Sequence, residues 1–219
     1  MLNLILKDML AVKRTLPLAF LYGLFLVVGF QRLQDAAYVS AIVAAAYILM
    51  MRAASHDGTN QCEIMLLSLP ICRRDIVLAK YLSVPMYGLV GTGVYSLLGL
   101  VAKVSGLTVV IAPIGPAGIL ACLAILLIMS SIYYPVFFKW GYIKSSAFNT
   151  AIFLVFFFGP IFILGSIRKN RSWPLIQAMI KSIAGLPPLT VGSLLLLAAL
   201  GLAAASYMLS VALFKQREF

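Results

Sequence analysis

The stretch AGILACLAILLIMSSIYYPVFF, residues 117–138, decides the fold, because it contains no Asp, Glu, Lys, Arg or His. At about 1.5 Å rise per residue it is long enough as a helix to cross a hydrocarbon core of about 30 Å. A span has no water to satisfy its backbone polar groups, so it must be helical. Working outward, similar apolar runs occupy 16–30, 36–51, 81–102, 147–167 and 189–214. The chain is 63% hydrophobic and only 11% charged, and its mean hydropathy is +1.06. A soluble domain carries about 25% charged residues, so a water-soluble fold is excluded. The sequence predicts an all-α polytopic membrane protein with six transmembrane helices in a single domain, 1–219. Residues 1–30 show no small-residue cleavage site after the apolar stretch and are read as the start of the first span.

The excess of 17 Lys and Arg over 6 Asp and Glu sits in short loops between the runs, a pattern of lipid headgroups and membrane orientation rather than nucleic-acid binding. With six spans, one side of the membrane receives Lys7, Lys13, Arg14, Arg52, Arg73, Arg74, Lys80, Lys139, Lys144, Lys215 and Arg217. The other receives Arg32, Lys103, Arg168, Lys169, Arg171 and Lys181. Eleven against six predicts that both termini are cytoplasmic. The Arg168–Arg171 cluster dissents, either as a contact to outer-leaflet phosphate or an acidic substrate, or because one span is misplaced.

Several local features refine this outline. In 1–15, Asn3, Lys7, Ala11 and Arg14 share one helical face opposite Leu6, Met9 and Leu10, which reads as an amphipathic elbow helix on the membrane surface or as a ragged start to span one. Pro160, beside Gly159, removes a backbone hydrogen bond in span five and is expected to kink or interrupt it. In the extracellular loop 168–188, Leu175, Met179 and Ile183 recur at spacing four, which suggests an amphipathic segment before span six. Small residues at Ala44–Ala46, Gly88, Gly91, Gly93, Gly201 and Ala205 allow close helix packing. Tyr47, Phe153, Phe156 and Phe157, with the Gly159-Pro160 break, are candidates to line a greasy pathway, or else pack against lipid.

The predicted spans hold no ionisable residue, which argues against a proton- or sodium-coupled carrier. No nucleophile and base converge, so no catalytic residue is expected. Cys62, Cys72 and Cys122 have no paired spacing, and the one histidine, His56, stands near Asp57, Cys62 and Glu63 in a polar segment. All four residue types bind metals, but a lone histidine there reads as solvated, and no metal site is predicted.

A transporter without a coupling ion needs energy from a partner, and the polar segment 52–80 is the place to receive it. It runs EIMLLSLPICRRDIVLAKYL over 63–82. A short helix can form before Pro70 and restart near Cys72, with Asp75 complementing the new helix dipole and Arg73 and Arg74 offered to an acidic surface. An ordinary solvated connection, with the arginines as stop-transfer charges, accounts for the same residues equally well. The order of residues favours the first reading. Ser68 to Leu82 resembles the cytoplasmic loop of the small permeases of the ABC type-2 exporter family: Ser-Leu-Pro, a small residue, two basic residues, Asp-Ile-Val and then Lys-Tyr-Leu. Asp57 and Glu63 match acidic positions upstream, and Cys72 stands where Ser or Thr is commoner.

The resemblance implies a coupling helix between spans two and three, with Asp57, Glu63, Leu66, Ser68, Leu69, Pro70, Arg73, Arg74 and Asp75 at the ATPase contact. It implies a separate ABC ATPase in two copies, which holds ATP and Mg, and a second permease subunit, identical or paralogous. This chain would carry no cofactor. Residence in a bacterial plasma membrane follows, with a hydrophobic or amphipathic cargo such as a peptide, bacteriocin or drug. The alternative is a membrane immunity protein that sequesters a peptide without any ATPase.

Overall fold

A computed structural model describes residues 2–29, 34–59, 72–105, 115–169 and 187–216. Their order is α1 (Leu2–Val12), a 3-10 turn (Lys13–Thr15), α2 (Leu16–Gly29), α3 (Gln34–Thr59), α4 (Arg73–Val104), α5 (Pro116–Lys169) and α6 (Pro188–Gln216), with no strand among the described residues. Among the described residues, five stretches are long and apolar enough to cross a membrane: Leu4–Val28, Tyr38–Gly58, Arg73–Val104, Pro116–Tyr142 and Pro188–Gln216. The sixth predicted span, 147–167, falls on the far part of α5, where side chains from 157 onward lie outside the described residues.

α5 is two helical arms joined at Gly141, whose φ of 73° and ψ of 175° are not helical. Contacts on either side show that the arms run in opposite directions. Along the first arm Gly118 meets Tyr38 of α3, Tyr134 meets Lys80 of α4, and Phe138 meets Phe214 of α6. Along the second, Tyr142 lies against Gly58, and Asn149 and Phe153 reach back to Tyr47 of α3. The break therefore sits in the short basic segment 139–144 that the sequence assigns to a loop, while Gly159 and Pro160 stay inside the helix. This corrects the expected interruption at Pro160. A proline in a membrane helix is tolerated where neighbouring groups satisfy the freed carbonyl, whereas the dihedrals of Gly141 exclude other residues. Gly141→Ala is expected to cost about 1–3 kcal/mol in equilibrium unfolding, while Gly201→Ala, where an added methyl meets nothing within 4 Å, is expected to be neutral or better.

The core is aromatic. Tyr47, Tyr87, Tyr133, Tyr134, Phe137 and Phe214 are among its largest fully buried side chains. α3 and α4 approach closely where a Cβ on Gly91 would meet the Ile42 carbonyl at 2.8 Å and the Ala46 methyl at 3.3 Å. Thus part of the small-residue pattern is used inside one chain. α5 and α6 form the most extensive helix pair, while Leu194, Leu197, Met208 and Leu209 on the other side of α6 remain exposed and suit a lipid surface.

Two expected segments are revised. Of the polar segment 52–80, Arg52 to Thr59 continues α3 and Arg73 to Lys80 opens α4. Both stretches are polar enough to suggest a loop, but packing overrides that composition, since Ala53, Ala54, Ile76 and Val77 are core residues. Helix α4 begins beside Cys72, with Asp75 in its first turn, where the start signals place it. The segments 60–71 and 170–186 lie outside the described residues, and with them Cys62, Glu63, Leu66, Ser68, Leu69, Pro70, Arg171, Lys181 and the predicted extracellular helix.

The second revision concerns α1, which presents its charged side to the protein. Leu6 and Leu10 are 60% and 62% exposed, whereas Asp8 is 2% exposed. The leucines face outward because Asp8 and Lys7 have partners on α3 and α4.

Candidate functional site

Those partners form the main polar cluster in the described residues. Asp57, at the end of α3, and Lys80, seven residues into α4, are 3% and 6% exposed. Lys80 Nζ donates to Asp8 Oδ2 at 2.8 Å and pairs with Asp57 Oδ2. Lys7 Nζ donates to Asp57 Oδ1 at 2.8 Å and lies 3.4 Å from Asp8 Oδ1. Each lysine thus touches both aspartates, and the four charges close a neutral square between α1, α3 and α4. A buried charge without a partner is strongly unfavourable, so the square holds together as a unit.

This corrects two sequence readings. The chain interior does contain ionisable residues, and they are paired with one another rather than strung along an ion path. Asp57, expected at the ATPase contact, is enclosed by two lysines and has no free carboxylate to offer. The sequence does carry a signal for this cluster: Lys7-Asp8 interrupts the apolar run of α1, and Lys80 stands alone in IVLAKYL. With only 6 acids in the chain, an acid beside such interruptions is a natural counter-charge.

Of the other expected coupling residues, Arg73, Arg74 and Asp75 are described, in the first turn of α4. Arg73 Nη1 donates to the carbonyls of Phe214 and Lys215, each at 3.0 Å, and its guanidinium stands 5.8 Å from the Phe214 ring centre. It caps the C-terminus of α6, where free carbonyls favour a cation. Arg74 points outward and is exposed, and Asp75 is half-buried. The pair of arginines, treated alike in the sequence, is therefore divided between an internal cap and an exposed cation. His56 is exposed beside buried Asp57, and no cluster suited to a metal occurs among the described residues.

The expected pathway residues are placed differently from one another. Tyr47 is fully buried; its hydroxyl donates to the side-chain and backbone oxygens of Asn149, and its ring stacks on Phe153 at 5.5 Å. It joins α3 to the second arm of α5. Phe156 is half-buried, and the side chains of Phe157 and Pro160 lie outside the described residues. A second polar seam runs between α4, α5 and α6: the Tyr81 hydroxyl lies 2.7 Å from Ser206 Oγ and 3.0 Å from Ser210 Oγ, and Ser206 donates to the Ser131 carbonyl. Near Pro85 the Lys80 carbonyl accepts from Ser83 at 2.8 Å and from Tyr134 at 3.1 Å, which anchors the helix beside its proline.

Beside α1 lies an apolar groove of about 180 Å³, bounded by Leu6, Met9 and Leu10 on one wall and by Leu49, Tyr87 and Val90 on the other. Lys13, in the 3-10 turn, stands at its edge.

In the square the charges neutralise one another, and the Tyr47, Tyr81 and Ser206 hydroxyls bridge neighbouring helices. The family model described as ABC-2 family transporter protein matches residues 3–215. No curated protein and no solved structure matches the chain.

Proposed function

The chain belongs to the ABC-2 family of transporter proteins, and from that premise we propose that it is the permease half of an ATP-driven exporter whose ATPase is a separate subunit. The family makes it a multi-pass membrane transport component. The observation that supports coupling to an ATPase is the placement of α3 and α4. The end of α3 and the start of α4 lie at the same pole as Arg74 and flank 60–72, where the exporter-like residue order of 68–82 begins. Asp57 and Lys80 tie those two helix ends together, so a push on the segment between them reaches both helices as one body. Such rigid-body displacement is an established route from a small local shift to a change of access.

In this reading the pole with Arg74 faces the cytoplasm of a bacterial cell, six spans include the second arm of α5, and 1–15 serves as the elbow. Two such permeases enclose the pathway and engage two ATPases, where ATP and Mg reside. Arg74 is the docking cation and Arg73 the internal cap. Away from the ion-pair square the buried core is largely apolar and aromatic, which suits a hydrophobic or amphipathic cargo.

Arg74→Glu places a like charge against an acidic partner surface, so capture of the ATPase is expected to weaken at least about tenfold with unfolding unchanged. Arg73→Gln is expected to lower stability first, because it uncaps α6. Affinity measured on the purified, detergent-solubilised chain checks both, and equal capture by wild type and Arg74→Glu would remove Arg74 from the contact. Stimulation of ATP turnover by amphiphilic peptides rather than inorganic ions tests the cargo class.

A further inference from the structure

Lys7, Asp8, Asp57 and Lys80 bind three helices through pairings that are interchangeable, which a fixed brace does not require. A single ion pair would fasten α1 to its neighbours in one position, and pulling it apart would strand a charge in the interior. In the square each cation already reaches both anions, at 2.8 and 3.4 Å for Lys7 and in direct contact with both for Lys80. A shift of α1 can therefore lengthen one edge while another shortens, and the interior stays neutral throughout.

Two independent features point the same way. α1 is joined to α2 through the 3-10 turn Lys13–Thr15, and a short 3-10 stretch inside a longer helical run commonly marks a hinge. The apolar groove of about 180 Å³ separates α1 from Leu49 of α3 and Val90 of α4, so one flank of α1 is not close-packed. A buried ion pair can often be replaced by apolar residues of like volume without loss of stability, so stability alone does not require four charges here.

We propose that the Lys7, Asp8, Asp57 and Lys80 square is a sliding joint, on which α1 shifts against α3 and α4 by exchanging ion-pair partners as the transporter changes access. The proposal rests on the coupling reading for its role in transport, since Asp57 stands near the end of α3 and Lys80 about two turns into α4, the helices that bracket the coupling segment. Its mechanical content belongs to the chain alone. α1 is the moving part, the 3-10 turn is the hinge, and Lys80 is the point about which partners exchange.

The test uses the full chain in lipid nanodiscs and follows hydrogen exchange along α1, α3 and α4 by mass spectrometry. In the wild type the amides of α1 are expected to exchange at least about tenfold faster than the facing turns of α3 and α4, the signature of a separately opening unit. Equal protection of all three would overturn the joint. The fourfold variant Lys7→Met, Asp8→Leu, Asp57→Leu, Lys80→Met replaces the square by apolar packing. It is expected to unfold at the wild-type temperature or above, with α1 slowed to the rate of its neighbours. A lower unfolding temperature, failure to fold, or unchanged exchange of α1 would identify a static brace and sink the proposal.

A second arm separates this idea from the coupling reading. With a captured ATPase, the fourfold variant is expected to hold the partner as well as wild type does and to lose cargo stimulation of ATP turnover. Full cargo stimulation in that variant would show that transport does not use the joint. If wild type captures no ATPase, the coupling reading fails by itself, and the exchange comparison still decides whether α1 moves.

Discussion

Lys80→Met is expected to destabilise the chain by about 3–5 kcal/mol, because it leaves two buried aspartates to share Lys7. Lys80 is the centre of the square: it contacts Asp8 and Asp57 and is 6% exposed. Asp57→Leu should cost a comparable amount by leaving two lysines on Asp8. The double variant Asp57→Leu/Lys80→Met keeps the Lys7 to Asp8 contact and removes one charge of each sign, so its cost should fall well below the sum of the singles. Equilibrium unfolding in mixed micelles measures all three. Additive costs would mean that the four charges are independent, against the geometry.

The second large effect is expected at Phe214. Its ring is 1% exposed, meets Phe138 at 5.1 Å between centres, and lies beneath the Arg73 guanidinium. Phe214→Ala opens a cavity between α5 and α6 and is expected to cost about 3–5 kcal/mol by the same unfolding measurement. Because Arg73 also holds the Phe214 and Lys215 carbonyls, loosening the end of α6 should free the first turn of α4 as well. Faster hydrogen exchange at 73–76 in Phe214→Ala, with the α4 interior unchanged, would be the local signature. An unchanged first turn would mean that Arg73 is fixed by other contacts.

These two sites show what the sequence made legible and what it did not. The apolar runs were plain because membrane length and backbone satisfaction leave helices as the solution for each of them. The start of α4 was also readable from Cys72, Asp75 and the preceding Pro70. Burial of Asp8, Asp57 and Lys80, which border three of these runs, was not readable. Asp57 sits in a Ser-His-Asp-Gly stretch that looks like a solvated turn, yet it ends a helix and faces inward because Lys80 and Lys7 arrive from elements distant in sequence. Arg73 and Arg74 are adjacent and chemically identical, and only the position of α6 separates a cap from an exposed cation. The break in α5 illustrates the same limit. Pro160 carries the stronger local signal, but the reversal of direction needs a residue that tolerates φ of 73°, and Gly141 supplies it between Lys139 and Lys144.

The exporter-like residue order was legible as a resemblance over Ser68 to Leu82, and the family match over 3–215 extends it to nearly the whole chain. The structural contribution is to sort the residues at that pole by job. Asp57 and Lys80 bind helix to helix, Arg73 closes α6, and Arg74 is exposed. A change at Arg73 would therefore mix a folding defect into any docking defect, whereas exposed Arg74 is the cleaner test of the proposed contact.

The central claim is that a separate ATPase drives this permease through the pole that carries Arg74. Its most direct measurement is native mass spectrometry of the affinity-purified wild-type chain from its own membrane. An assembly of two permease and two ATPase subunits is expected, and it should dissociate when Arg74→Glu is introduced. A folded, monodisperse wild-type chain that carries no ATPase would contradict it.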